Sequence, residues 1–203
     1  MQTDEADIFF LIDQSGSISH DDFTYMKKFV IDFLNTYHIG PDHIRVGCVK
    51  YADSPTLEFD LTTYTDSKSL GDAVESIHQV GGGTETGRGL SFMAPLFERA
   101  MKTRGHKVPE HLIVITDGKS ADKVQLPAEK LRTQGVNIYA IGVKEAVETE
   151  LQEIAGSPQN TFLVNNFDAL KIIKDDIITE ICSADGKHIS FHVIPLYCNS
   201  TIG

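Results

Sequence analysis

The stretch FFLIDQSGSIS (residues 9–19) breaks sharply at its middle. Large apolar residues run up to Ile12, Asp13 ends the run, and serines follow at positions 15, 17 and 19 with Gly16 among them. Residues 7–13, DIFFLID, are short and almost wholly apolar, the pattern of a strand buried on both faces. Ser19 with Asp22 three residues on reads as a capping box, and Asp21 and Asp22 suit the positive start of a helix. Phe23, Met26, Val30, Phe33, Leu34 and Tyr37 then recur at helical spacing until Gly40-Pro41. The opening is therefore strand, tight turn, helix. At that turn Asp13 could attack a substrate, cap a helix or hold a metal.

The pattern repeats outward from this unit. HIRVGCVKYA (43–52) and TLEFDLTTY (56–64) read as strands joined by the short link DSP, which permits a hairpin and makes the second an antiparallel edge strand. A helix is expected over about 66–79, then the glycine-rich loop GGGTETG (81–87), then a longer helix to about 104 that Pro95 is placed to kink. HLIVITD (111–117) is a second apolar strand that ends in aspartate. A helix over 121–134, the strand VNIYAIGV (136–143), a short helix at about 149–155, a strand at 161–164 and an amphipathic helix over 167–182 complete the pattern. Buried strands alternating with helices predict an α/β fold: a three-layer, doubly wound, mostly parallel sheet with one antiparallel edge strand. Ligands of such sheets sit outside the carboxyl ends of the strands, where strand order reverses.

The regular pattern predicts one domain over 5–182 and a flexible appendage over 183–203. That tail carries a sequon at Asn199 and a cysteine, Cys198, close enough to Cys182 in sequence to bridge with it under oxidising conditions. Cys48 lies in an apolar run and packs as a small hydrophobe. Three cysteines with no C-x-x-C pair argue against a zinc site. His188 and His192 are four apart in a run that looks extended, so a surface role is expected of them. Acidic residues outnumber basic ones 29 to 18, a formal charge of −11 that opposes nucleic acid and anionic membrane surfaces. No apolar run approaches the roughly 20 residues of a membrane span. After Met1, QTDEAD shows neither the basic nor the apolar region of a signal peptide.

Two buried strands thus deliver aspartates, Asp13 and Asp117, to one edge of the sheet. If the strands are neighbours, the like charges need a neutraliser, and a divalent cation is the simplest. Ser15 and Ser17, on a turn opened by Gly16, aim two hydroxyls at one point, and Thr84 in the glycine-rich loop offers a third. Hydroxyl and carboxylate oxygens suit Mg²⁺, Mn²⁺ or Ca²⁺ rather than zinc. Three neutral hydroxyls and two carboxylates leave such an ion electron-poor and open to a further anionic ligand.

The rivals fit less well. A dehalogenase-type phosphatase uses a second acid two residues after its nucleophile, and position 15 is Ser. An EF-hand counted from Asp13 would need Gly and Glu where Ile18 and Thr24 stand. GGTETGRG mimics a phosphate loop, but Arg88-Gly89 replace the required Lys and Ser/Thr. No G-x-S-x-G elbow surrounds either serine. Helix capping explains Ser19 but not five hard oxygen donors together.

DQSGS (13–17), GGGTETGRGL (81–90) and VITDGKS (114–120), in this order and on these elements, resemble a von Willebrand factor A domain with its metal-ion-dependent adhesion site. The resemblance covers about residues 5–182. It implies that Ser15, Ser17 and Thr84 bind the metal directly, while Asp13 and Asp117 bind directly or through water. It also implies a secreted, non-enzymatic module that binds extracellular-matrix or cell-surface proteins, with a partner's Glu or Asp completing the metal shell. IFFLIDQSGSI, VKYADSPTLEFDLTTY and ELQEIAGSPQNTF look most like A domains in the amino-terminal arrays of collagen VI alpha chains. Cys182 resembles the junctions in such arrays, so other collagen or A-domain chains join the expected partners.

Lys119 departs from the acidic residue that many integrin-type sites carry there. The Val143–Thr149 connection is too short for the extra helix of collagen-binding integrin domains, which argues against direct triple-helix recognition. An assembly or spacer module with an unused metal site is the alternative, and a Mg²⁺-dependent phosphatase-like enzyme ranks behind it.

Overall fold

A strand covered on both faces must bury side chains on each, and β1 (Ala6–Asp13) buries every one of its residues. The computed structural model describes residues 5–184. The expectations for Cys198, Asn199, His188 and His192, and for most of the appendage, lie outside the described residues. β1 is joined by β2 (Ile44–Tyr51), β3 (Pro55–Phe59), β4 (Glu110–Thr116), β5 (Val136–Val143) and β6 (Thr161–Val164) in a sheet of order β3-β2-β1-β4-β5-β6. The β2–β3 pairing is antiparallel and the others are parallel.

The period of two along β1 divides the core. Ile8, Phe10 and Ile12 face the layer of α1 (His20–Leu34), α2 (Ser67–Glu75) and α6 (Leu170–Ala184). Phe9 and Leu11 face α3 (Thr86–Arg104), α4 (Gln125–Thr133) and α5 (Glu148–Ala155). Phe9 lies over Gly47 of β2, where a Cβ would come within 2.2 Å of its ring, and meets Phe97 of α3 edge-on at 5.2 Å. Burying one such side chain is worth roughly 1.5–3 kcal/mol, so the two layers outweigh any single loop contact. From β1 the chain winds outward through β2 and β3, then returns to β4 and winds the other way. The switch point therefore lies between the carboxyl ends of β1 and β4.

Several boundaries are tighter than the sequence pattern predicts. α1 ends at Leu34, and Tyr37 is buried through turns in which Thr36 and Tyr37 donate to the carbonyls three residues back. β3 stops at Phe59 because the Asp60 carboxylate accepts from Leu61 N and Thr63 Oγ1 accepts from Asp60 N, which closes a turn. α4 starts at Gln125 rather than 121, since Ser120 and Asp122 are committed to another loop.

Candidate metal site

β1 and β4 pair in register, Ile12 opposite Ile115, so Asp13 and the Thr116-Asp117 pair leave the sheet side by side. Asp13 is fully buried; its Oδ1 accepts from Ser15 N at 2.7 Å and its Oδ2 from Thr116 Oγ1 at 2.8 Å. Ser15 Oγ and Ser17 Oγ share a hydrogen bond of 3.1 Å, and Ser17 Oγ donates to Asp117 Oδ1 at 2.9 Å. Four of the five expected ligands thus form one hydrogen-bonded group, with Asp13 and Asp117 linked through the Ser15 main-chain N–H and the two serine hydroxyls rather than to each other. Ser19 stands apart, capping α1 by accepting from Asp22 N at 3.2 Å.

Thr84 reaches the group through its loop. Gly16 N donates to Gly82 O at 2.9 Å, and Ala121 N donates to Thr84 O at 2.8 Å, so both aspartate loops hold the glycine loop. Gly82 has φ +120°, and a Cβ there would come within 2.8 Å of Asp53 Oδ2, so the close approach demands glycine. Thr84 is half-buried, and its hydroxyl makes no hydrogen bond among the described residues. It is the one expected ligand that the hydrogen-bonded group does not yet include.

The supporting residues carry no spacing signal in the sequence. Asp122 accepts from Gly87 N at 2.6 Å and Arg88 N at 2.7 Å, and Ser120 Oγ accepts from Thr86 N at 3.1 Å. Together they cap α3, whose own N-cap residue, Glu85, makes no side-chain capping bond. Gln79 Nε2 donates to the carbonyls of Ser15 and Ile18 at 3.1 and 2.7 Å, and Gln14 Oε1 accepts from Val80 N at 3.0 Å. Glu150 Oε1 accepts from Ser120 N at 2.8 Å. These contacts join segments 30 to 66 residues apart.

Burial pushes the Asp13 carboxyl above its ordinary range, and the nearby Asp117 charge adds to this, against the bonds from Ser15 and Thr116. Burial also raises the Asp117 carboxyl, opposed by the Ser17 hydroxyl and the Lys144 charge. Lys144, at φ 55°, pairs with Asp22 across the rim and lies 5.3 Å over the Phe167 ring. Lys119 is exposed on the Asp117 loop. The donors are all oxygens, and no group of three or more His, Cys, Asp or Glu side chains fit to hold a metal occurs among the described residues. A cation here would depend on hydroxyls, which fits a hard ion.

The family model for the von Willebrand factor type A domain matches residues 7–176. The collagen alpha-6(VI) chain of Homo sapiens is 46% identical over 185 residues, 91% of this chain and 8% of its own length. The collagen alpha-4(VI) chain of Mus musculus is 47% identical over 182 residues, 90% of this chain and 8% of its own. The chain thus spans less than a tenth of these collagens. Among solved structures, proximal thread matrix protein 1 from the mussel byssus, with a zinc-occupied MIDAS motif, matches at TM-score 0.79 and 27% identity. That match covers 88% of this chain and 48% of the mussel protein. No helix among the described residues is long and apolar enough to cross a membrane.

Proposed function

The chain belongs to the von Willebrand factor type A domain family, and on that premise we propose that it is a non-enzymatic adhesion module of an extracellular-matrix chain. Its strand-end site takes a divalent cation, Mg²⁺ or else Mn²⁺ or Ca²⁺, and an acidic side chain of the partner completes the ion's shell. The observation that carries this reading is the Asp13–Ser15–Ser17–Asp117 group at the switch point, with both carboxyls raised by burial. Ser15, Ser17 and Thr84 would supply hydroxyl oxygens, and Asp13 and Asp117 carboxylate oxygens, directly or through water. When bound, the ion supplies a positive point that a carboxylate can reach from outside.

The buried state of Asp13, with both oxygens occupied by Ser15 and Thr116, speaks against a nucleophilic role for it. The domain spans about residues 5–182, within a secreted chain. Its partners are extracellular-matrix or cell-surface proteins, among them other collagen or A-domain chains, a reading supported by the collagen VI relatives.

Calorimetry with Mg²⁺ or Mn²⁺ is expected to show binding that Asp13→Ala abolishes while the circular dichroism spectrum is unchanged. Equal metal binding by both proteins would sink the proposal. A partner pull-down with and without EDTA separates the two uses of the site: binding that survives EDTA assigns the contacts to helix faces and makes the domain a spacer.

A further inference from the structure

The opposite pole of the sheet carries a second polar centre. Asp7, wholly buried, accepts from Arg45 Nε at 2.7 Å, Arg45 Nη2 at 2.6 Å and Arg104 Nη2 at 2.9 Å. The two arginine side chains are themselves only 6% and 3% exposed. Their other donors reach Thr103 Oγ1 and the main-chain carbonyls of Ala100, Ala6, Pro41 and His43. Such oxygens accept hydrogen bonds but bring no formal charge. Two enclosed cations therefore share one carboxylate.

Glu110 stands opposite Asp7 in the β1–β4 register but hydrogen-bonds to neither arginine among the described residues. Burial, with Asp7 beside it, pushes its carboxyl up to about 7. Arg104 Nε is buried and has no acceptor among the described residues. An enclosed guanidinium with an idle donor is costly unless an acceptor reaches it. Both arginines line a cavity of about 300 Å³ between the 40–42 loop, the 61–65 loop and the end of α3. Thr62 and Thr65 stand exposed on its lining, as does Asp42, the one carboxylate there.

We propose that this cavity binds an oxyanion, a carboxylate or sulfate group, held by the Arg45 and Arg104 guanidinium groups. The forked donors already clasp one carboxylate, Asp7, and guanidinium favours planar or tetrahedral oxyanions over a bare halide. The volume is at the lower end of the ~300–1,000 Å³ typical of ligand pockets, enough for an anionic side chain or small anion. The proposal is independent of the cation site, which lies at the other end of the strands.

The test follows the arginine Nε–H signals by NMR while the whole domain is titrated with sodium sulfate and, separately, sodium glutarate. Chloride holds the ionic strength constant. Saturable shifts of the Arg45 and Arg104 signals are expected, with no such response to chloride alone. Arg104→Met is expected to weaken binding about tenfold or more, the scale of one charge-assisted hydrogen bond. Thr65→Trp, which crowds the mouth but keeps both arginines, is expected to weaken it comparably and decides the question if Arg104→Met does not fold. Non-saturating shifts spread over the surface, or unchanged affinity in the folded variants, overturn the proposal. A glutamate-rich peptide binding more tightly than glutarate assigns the oxyanion to a partner protein, and weaker binding assigns it to a free anion.

Discussion

β1 carries an aspartate towards each end, and Asp7 and Asp13 are both completely buried. Asp7 meets two guanidinium groups through three hydrogen bonds. Asp13 meets only neutral donors, Ser15 N–H and the Thr116 hydroxyl, and a second carboxylate stands close enough to raise it. Burial is equal at the two ends, so burial does not decide the role. Asp7 is a carboxylate already matched by positive charge, with nothing left to offer an ion. Asp13 belongs to a group whose negative charge no side-chain cation among the described residues touches directly, which leaves its neutralisation to something from outside.

The same substitution at the two ends tests that contrast. Asp7→Ala strands two buried guanidinium groups and should cost about 3–5 kcal/mol in urea unfolding, as breaking a buried pair does. Asp13→Ala leaves Ser15 N–H without its acceptor and Thr116 O–H with only the long 3.4 Å contact to Gly118 O, but also removes a like-charge neighbour. A loss of only about 1–2 kcal/mol is expected, measured without divalent cation. Equal losses at both ends would break the comparison and make Asp13 as structural as Asp7.

The two ends also differ in how much of them the sequence could reveal. The carboxyl edge was legible because β1 and β4 each end an apolar run in aspartate, and because serines two apart on a glycine turn point one way. Apolar runs and helical spacing likewise place most elements, since burial on both faces leaves a periodic trace. What spacing cannot show is a side chain that serves a distant backbone. Asp122 looked like part of a helix start, yet it caps α3 from 35 residues away. Arg45 and Arg104 lie 38 and 97 residues from Asp7. The sequence shows only that Asp7 and Arg45 each interrupt a largely apolar strand near its start. α1 stops short of its predicted end for a related reason: Tyr37 keeps the helical period while the backbone has already left the helix.

A smaller effect sharpens the contrast at the amino end, where a second carboxylate also sits close to the first. Glu110, half-buried opposite Asp7, has its carboxyl pushed up to about 7 by burial, with the Asp7 charge adding to it and Lys107 and Arg45 opposing. In the unfolded chain a glutamate titrates near its ordinary value, about 4.3. Between those values the folded state holds more protons than the unfolded one, so stability falls as pH rises through that window. The contribution is fully present below the unfolded value and is lost as pH passes about 7. Glu110→Gln keeps the side chain's size and removes the titration. The expected outcome is a variant whose stability relative to the parent grows between pH 5 and pH 8 in paired urea titrations, since every other group cancels in the difference. A difference that stays flat would mean that Glu110 ionises without penalty. The amino pole would then hold two carboxylates and two guanidinium groups in balance, and the charge asymmetry between the ends of β1 would rest on the carboxyl edge alone.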